Sequence, residues 1–559
     1  MGQLNSQSGG RLVAHWPLDG SCRDAVGTLH GTGHGIAFVE GADGRPSGAA
    51  LFDGLDDWVD VPHGSALDLG TRPSTVTAWV KPGRGVAGPP GQILGQFDQA
   101  ARRGVNLWLA ASAPGYSSIG DARHVHFGID DGGPCDWEDC GKPWPSNTMI
   151  GALTAYRGRL YAGIAAASDP RDACHVFRYA GGQEWEDCGR VGDDLGTPTV
   201  HSMVVHEGKL YAGTGIWDWD RAWAGDCGPT HVYVYEGGTR WRDCGRFGEG
   251  YRVLALASFA GDLYASDDTG KCYRYAGRGR WEYCGQAGED TRLYSLTVHA
   301  GSLYGGTNGN MYRYDGGTTW TRIGSSPFGT TQVHKLQGYE GALCAGTWPY
   351  GKVLRYEGGE DWADCGQMGI GTDQFQINEV NELTVYNGKL YAGVIPKAEV
   401  YRFDGPGNWA LVRQLVPTTP QWSSQDIASW NRVPCLSVFA GRLYAGTSTC
   451  HGRPDEQPPA EVGRVYAMRA GQCVSYDRDI GCDWTHIAAV RGLDSLRLYI
   501  NGRLRSTSPA FAGSAYNLTT GLPLRIGCGA GAYFRGALDD VRLYAGALSA
   551  AEVRELARR

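Results

Sequence analysis

Between Trp137 and Tyr466 the chain alternates apolar and polar positions in short runs, broken by glycine-bearing turns, and the pattern repeats. The clearest copy is LTVHAGSLYGGTNGNMYRYDGGTTW, Leu296 to Trp320. Period-two alternation over four to six residues predicts strands, and the glycine pairs predict the turns between them. Ala300-Gly301 is a tight turn leading into a strand centred on Leu303-Tyr304. A second strand, Met311 to Tyr314, ends in a Gly-Gly turn, and the next strand opens on Trp320. The tryptophan recurs as Trp137, Trp185, Trp241, Trp281, Trp320, Trp362 and Trp409, at spacings of 48, 56, 40, 39, 42 and 47 residues. The strand after the first turn recurs equally often. It begins at Leu160-Tyr161, Leu210-Tyr211, Leu263-Tyr264, Leu303-Tyr304, Leu343-Cys344, Leu390-Tyr391 and Leu443-Tyr444.

A period of roughly 40 to 50 residues made of short strands and glycine turns is the signature of a β-propeller with one four-stranded sheet per repeat. Both markers occur seven times, so seven blades are expected. The Gly-Gly turn resembles the Asp box of sialidase-type propellers. Asp315, Gly317 and Trp320 keep its Asp-x-Gly-x-x-Trp spacing, and Glu236-Gly238-Trp241 and Glu357-Gly359-Trp362 are near copies. An Asp box is a turn-forming device, so the resemblance supports the fold and implies no catalysis. The segment opens on a lone Trp-bearing strand, Asp136 to Gly141, and closes after the third strand of its last repeat, Arg464 to Met468. The first strand is therefore expected to complete the last blade, which brings entry and exit side by side.

The flanking segments do not carry the repeat but alternate like strands, as in Leu12 to Trp16, Trp58 to Pro62 and Ser74 to Val80. HWPLDG (His15 to Gly20), GAALFDGLDDWVDVP (Gly48 to Pro62) and STVTAWVKP (Ser74 to Pro82) resemble the LamG, or concanavalin A-like, jelly-roll family. The resemblance stops near Asp130 and resumes at Trp484 to Val490, Leu496 to Gly502 and Gly536 to Tyr544, with a short helical tail from Leu548 to Leu556. The expected architecture is all-β: a LamG-like β-sandwich (residues 11–132 and 473–559) interrupted by a seven-bladed propeller (residues 133–472). Asn501-Gly502 is expected to form a type I′ hairpin turn. The resemblance also implies a structural calcium ion in the jelly roll. Asp24 and Asp539 are the best-matching ligands, with Asp19 and Asp540 beside them, because hard oxygen donors suit that ion.

Composition narrows the function. Net charge is −8 with no long basic run, which argues against nucleic acid or an anionic membrane as partner. No apolar stretch approaches the roughly 18 residues of a transmembrane segment. Met1 to Arg11 is polar and lacks the apolar core of a secretory signal, so localisation stays open, with a cell-surface or extracellular setting suggested by the resemblance. Of the 16 cysteines, Cys140, Cys188, Cys244, Cys284 and Cys365 each lie three residues after an anchor Trp. On neighbouring blades they sit too far apart to bridge and are expected to be small buried hydrophobes. Cys135 and Cys473 bracket the neck between the two parts and form the candidate disulfide.

Two connections in each repeat stay short and two vary. The variable ones share one face of a propeller, opposite the jelly-roll junction, and long loops on a rigid scaffold are where binding resides. Trp144, Trp217, Trp219, Trp223, Trp348, Trp422 and Trp430 all fall in them. Trp217-Asp218-Trp219-Asp220 alternates aromatic and acid, which offers flat apolar faces to a sugar ring and acceptors to its hydroxyls. Trp223, Trp348, Tyr350, Trp422 and Trp430 join them as candidate ligand-binding residues. Carboxylates for glycoside hydrolysis could be drawn from Asp218, Asp220, Asp373 and Glu379, but any acidic loop offers such choices, and no catalytic residue is assigned. The chain has no zinc, P-loop or nucleophile-elbow motif. The leading expectation is non-enzymatic carbohydrate binding, so the partner is a glycan or a protein receptor. The alternatives are a receptor-binding part of a phage tail or secretion apparatus, and a glycan-cleaving enzyme on the propeller face.

Overall fold

The computed structural model describes residues 10–83, 91–111, 118–166, 169, 171–216, 228, 230–369, 378–417, 430–449, 460–530 and 533–558. Its regular structure is almost entirely β. Strands from both ends of the chain share two antiparallel sheets. One runs in the order Ala37–Val39, Ala49–Asp53, Arg535–Ala545, Ser74–Pro82, Thr485–Arg491, Leu496–Ile500 and Arg503–Thr507, with Arg11–Trp16 also on Arg535–Ala545. The other runs Thr32–His34, Trp58–Val61, Leu524–Ile526, Gly91–Asp98, Arg103–Ala110, His124–Asp131 and Gln472–Tyr476. One apolar core joins them, drawing Trp16, Phe52, Val80 and Leu538 from the first sheet and Ile93 and Phe127 from the second. Gln472 already pairs with Ile129, so the return to this sandwich begins at that residue. Asn501 and Gly502 have φ of 49° and 71°, the all-positive geometry of a type I′ turn. The tail helix is Ala550–Leu556, and it starts at a capping box in which Ser549 and Glu552 satisfy each other's backbone N–H.

Between Asp131 and Gln472 the strands form successive four-stranded antiparallel meanders. The earliest comprises Asn147–Tyr156, Arg159–Ala166, His175–Gly181 and Glu184–Arg190. The last consists of Asn431–Phe439, Arg442–Thr449 and Val465–Arg469, and its fourth strand is Asp136–Asp139 from the other end of the segment. The first strands of consecutive meanders pack on one another in turn: Asn147–Tyr156, Thr199–His206, Val253–Phe259, Ser295–His299, Gln332–Tyr339, Glu379–Tyr386 and Asn431–Phe439. The last of these packs back on the first, which closes a ring about a common axis.

The anchor tryptophans hold neighbouring meanders together. Trp320 donates its indole N–H to Cys284 O at 2.9 Å, and Trp185, Trp241, Trp281, Trp362 and Trp409 reach a carbonyl of the preceding meander in the same way. Each staple satisfies a backbone acceptor that the outermost strand would otherwise leave open. The five repeat cysteines are buried, at most 6% exposed, as expected of small hydrophobes. All the described cysteines are free thiols, and this corrects the expected bridge between Cys135 and Cys473. The Cys473 thiol turns to Val474 O of its own strand, and Cys135 receives the Arg102 guanidinium instead.

The short turns after the first strands rest against the sandwich. Gly158 N donates to Asp477 O at 2.7 Å, Glu207 N to Asp121 Oδ2 at 2.9 Å and Glu340 N to Ala530 O at 2.9 Å. Asn387 Nδ2 donates to Ile129 O at 3.2 Å, and Ala440 N to Asp477 Oδ2 at 2.9 Å. The opposite, variable ends of the ring therefore point away from the sandwich.

Candidate functional site

The innermost strands explain where polar chemistry gathers. Most carry a register shift near the end that receives the variable connections: Val200/Ser202, Val253/Ala255, Val333/Lys335, Val380/Glu382 and Arg432/Cys435. A β-bulge adds a residue that the ladder does not pair and re-aims its side chain. The added residues include His201, His334 and Asn381, all three buried.

Around these bulges, side chains from different meanders meet. Arg432 Nη1 donates to Glu379 Oε1 at 2.8 Å, and Asn381 Nδ2 donates to the same oxygen. The His334 ring lies with Nδ1 3.5 Å from Glu379 Oε1, bonds Gln332 through Nε2 at 2.7 Å and stacks on Tyr294 with 4.4 Å between centroids. Arg292 Nη1 donates to the Tyr294 hydroxyl at 3.3 Å. Lys335, the residue after His334, meets Glu382 Oε1 through its Nζ at 2.8 Å, with side chains 3% and 0% exposed. Arg252 stands 4.0 Å from Asp268.

Burial sets the protonation here. The His334 imidazole is pushed down to about 4, mainly by loss of water. Glu379 opposes that shift, and Arg432, Arg252 and Arg292 reinforce it. His201 is pushed well below its usual range by burial and then by Arg252 and Arg432, groups from the next meander and from the last one, which ring closure brings within one meander of it. Both imidazoles are therefore neutral near pH 7. Tyr294 is pushed up, again mainly by burial. The result is a polar, largely dry cluster that offers planar donors and acceptors beside a stacked aromatic pair.

The expected ligand-binding residues fare unevenly. Trp217, Asp218, Trp219, Asp220, Trp223 and Trp422 lie outside the described residues, as does Asp373. Trp348 ends the strand Ala342–Trp348 and is half-buried, as is Tyr350, which follows it with φ of 77°. Trp430, 9% exposed, precedes Asn431–Phe439 directly and so adjoins Arg432 in the chain. Trp144 is 6.0 Å from the Phe177 ring. Of the four candidate carboxylates, Glu379 is the one within the described residues, and it lies in the axial cluster. Sequence reasoning missed Arg252, Arg292, Tyr294, His334, Lys335, Glu382 and Arg432. For His334, Lys335 and Glu382 the legible signal was polar and charged residues inside otherwise apolar first strands, QVHKLQ and EVNELTV against VLALAS and SLTVH in sister repeats.

The two expected calcium ligands do not form an open oxygen cage. Asp24 Oδ1 accepts the backbone N–H of His15 and Val26, and Oδ2 accepts that of Leu29, so the carboxylate caps a turn. Asp539 Oδ2 accepts Ala42 N at 2.9 Å, and Asp539 and Asp19 lie near the Arg45 guanidinium, a cation already in place. Asp540 is held by His15 and Arg542. This donor set fits turn capping and ion pairing better than a calcium site.

Residues 479–554 match the family model of the concanavalin A-like lectin/glucanases superfamily. No curated protein matches the chain. Among solved structures, a streptogramin B lyase is similar at 10% identity over 60% of this chain and 97% of its own, with a TM-score of 0.40. The WD40 β-propeller domain of Doa1 is similar at 8% identity over 59% of this chain and 96% of its own, with a TM-score of 0.38. A Trypanosoma rangeli sialidase in complex with the inhibitor DANA is similar at 13% identity over 75% of this chain and 94% of its own, with a TM-score of 0.26. None of these likenesses is close enough to bring a function to this chain. No helix among the described residues is long and apolar enough to cross a membrane.

Proposed function

We propose that the chain is a non-enzymatic carbohydrate-binding protein, a concanavalin A-like sandwich with a seven-bladed propeller inserted at residues 133–472. On this reading the ligand enters the ring from the variable face, away from the sandwich. The observation that carries it is the axial cluster of Tyr294, His334, Glu379 and Arg432. It combines an aromatic surface with fixed, planar hydrogen-bonding groups, the two things a sugar ring and its hydroxyls need. The family match at residues 479–554 supports the same ligand class for the sandwich. Glu379 is already held by Arg432 and Asn381, which suits a positioning anion better than a proton-carrying acid. Calcium has no part in the proposal, since Asp24 spends both oxygens on backbone donors.

The test is a glycan-array screen of the intact protein, with calcium and again with chelator. Binding that falls in Glu379→Gln, or when Trp217 and Trp219 become Ala, supports a site on the variable face. Binding that is lost on chelation but indifferent to these changes moves the site to the sandwich. No glycan binding under either condition overturns the proposal in favour of a protein receptor.

A further inference from the structure

We propose that the junction between the sandwich and the ring holds a small neutral aromatic molecule, in a closed chamber at the foot of the ring axis. This site is separate from the variable face and does not depend on glycan binding.

The chamber follows from how two alternating surfaces meet. In the strand Arg103–Ala110, Leu107 and Leu109 enter the sandwich core, so Trp108 and Ala110 turn outward, and Trp108 joins the apolar cluster that holds Val438 of the ring. On the ring side, Thr297, Gln337 and Thr384 stand at equivalent places, each opposite the Tyr or Cys of its second strand. Val298, Val385 and Val438 stand one residue further on in their strands. These two surfaces enclose a cavity of about 90 Å³. Ile119 closes one side, where its N–H donates to Leu256 O at 3.0 Å and its carbonyl accepts Ser258 N at 2.9 Å. The fit around the cavity is close. A Cβ on Gly301 would stand 2.9 Å from the Arg535 guanidinium, one on Gly341 2.6 Å from the Tyr533 ring, and one on Gly388 2.7 Å from the Asn106 amide. Packed protein leaves few voids larger than a water molecule. A void of this size within so tight a junction is on the order of the apolar cavities that admit one benzene-sized ring.

The walls define the class of ligand. Ile119, Val298, Val385 and Val438 supply an apolar surface, and Trp108 and Tyr533 add aromatic rings, which prefer the edge or offset face of another ring. Thr297, Gln337 and Thr384 supply neutral polar groups, enough to meet one hydroxyl. His299 is neutral as well, because burial pushes its imidazole down to about 4. Among the described lining residues Arg535 is the one with a permanent charge, and it is half-buried beside Gly301 at the edge. A charged ligand would leave water for walls that offer it a single ionic partner at most, so the chamber favours a neutral one. A groove lined by Phe97, Asn106 and Arg525 adjoins the chamber along Ala530 and Tyr533 and gives the ligand its way in.

The test titrates the intact protein with phenol and with benzoate by calorimetry, and locates bound phenol in crystals of the same protein. The expected result is saturable phenol binding at millimolar concentration or below, benzoate weaker by roughly tenfold or more, and phenol seated between Trp108 and Val438. Val438→Phe fills the chamber from the ring side and should weaken phenol by about tenfold or more. Four outcomes overturn the inference: no phenol binding in solution, with waters alone in the chamber or with phenol there at crystal concentration only; phenol bound elsewhere; benzoate binding as tightly as phenol; or a folded Val438→Phe protein with unchanged phenol affinity. If Val438→Phe does not fold, the phenol position and the phenol-to-benzoate ratio of the unaltered protein still decide. Glycan binding at the variable face stands or falls on its own screen.

Discussion

The buried pair of Lys335 and Glu382 is the sharpest place to test the physics of the ring axis. The two side chains come from adjacent meanders, are 3% and 0% exposed, and meet at 2.8 Å. With an effective dielectric of about 20 their attraction is ~6 kcal/mol. Removing two such ions from water costs several kcal/mol each, so the pair as a whole is close to neutral for stability. The components are not neutral singly. Lys335→Met removes the ammonium and leaves the Glu382 carboxylate in the same dry place, at an expected cost of about 3–5 kcal/mol. Glu382→Leu in the same chain removes the stranded charge, and the double variant should recover to within about 2 kcal/mol of the parent. Urea titration of the intact protein, followed by tryptophan fluorescence, reads both numbers and hence the coupling between the sites. A cost below about 1 kcal/mol for Lys335→Met, or a double variant as unstable as the two singles added, would show that the axis is wet and the reasoning wrong.

Two further expectations follow from other parts of the molecule. Trp320→Phe deletes the indole donor to Cys284 O, 2.9 Å away, and trims a ring that packs on Tyr314; it should cost about 1–3 kcal/mol in the same titration, and an unchanged urea midpoint would mean the staple carries nothing. Asp477, buried at the junction, has its carboxyl pushed up by burial from 3.8 to about 6. The native state therefore holds more protons than the unfolded state between those values. Stability from this group is fully present below pH 3.8 and is lost as pH rises through 6, by about 3 kcal/mol. Asp477→Asn should remove that loss, so stability profiles of the two proteins should diverge between pH 4 and 7; parallel profiles would refute the assignment.

Much of the architecture was legible because its determinants are local. Type I′ turns need positive φ at two successive residues, and Ala300-Gly301 (φ 46° and 73°) and Asn387-Gly388 (43° and 84°) mark theirs with glycine in second place. Period-two alternation then fixed which side of each strand faces a core, and the recurring tryptophan marked the strand that staples one sheet to the next. The paired markers at the two ends of the repeat region also implied that Asp136–Asp139 would join Val465–Arg469, as it does.

The axial site was not legible in the same way. A histidine or glutamate within an apolar run reads alike whether it faces a core, a channel or a neighbour, and only the bulge at His334 or Asn381 decides its direction. The sequence also spread the cluster from Arg252 to Arg432, and closing the ring is what makes those residues neighbours. Asp24 shows the converse. The family resemblance implied a cation ligand there, and the fold turns three backbone N–H groups onto its carboxylate. Local pattern determined the strands, turns and staples of this protein, because those depend on a few adjacent dihedrals. Which charges meet, and what each carboxylate faces, was decided by tertiary structure alone, because electrostatics depends on distance through space and on burial.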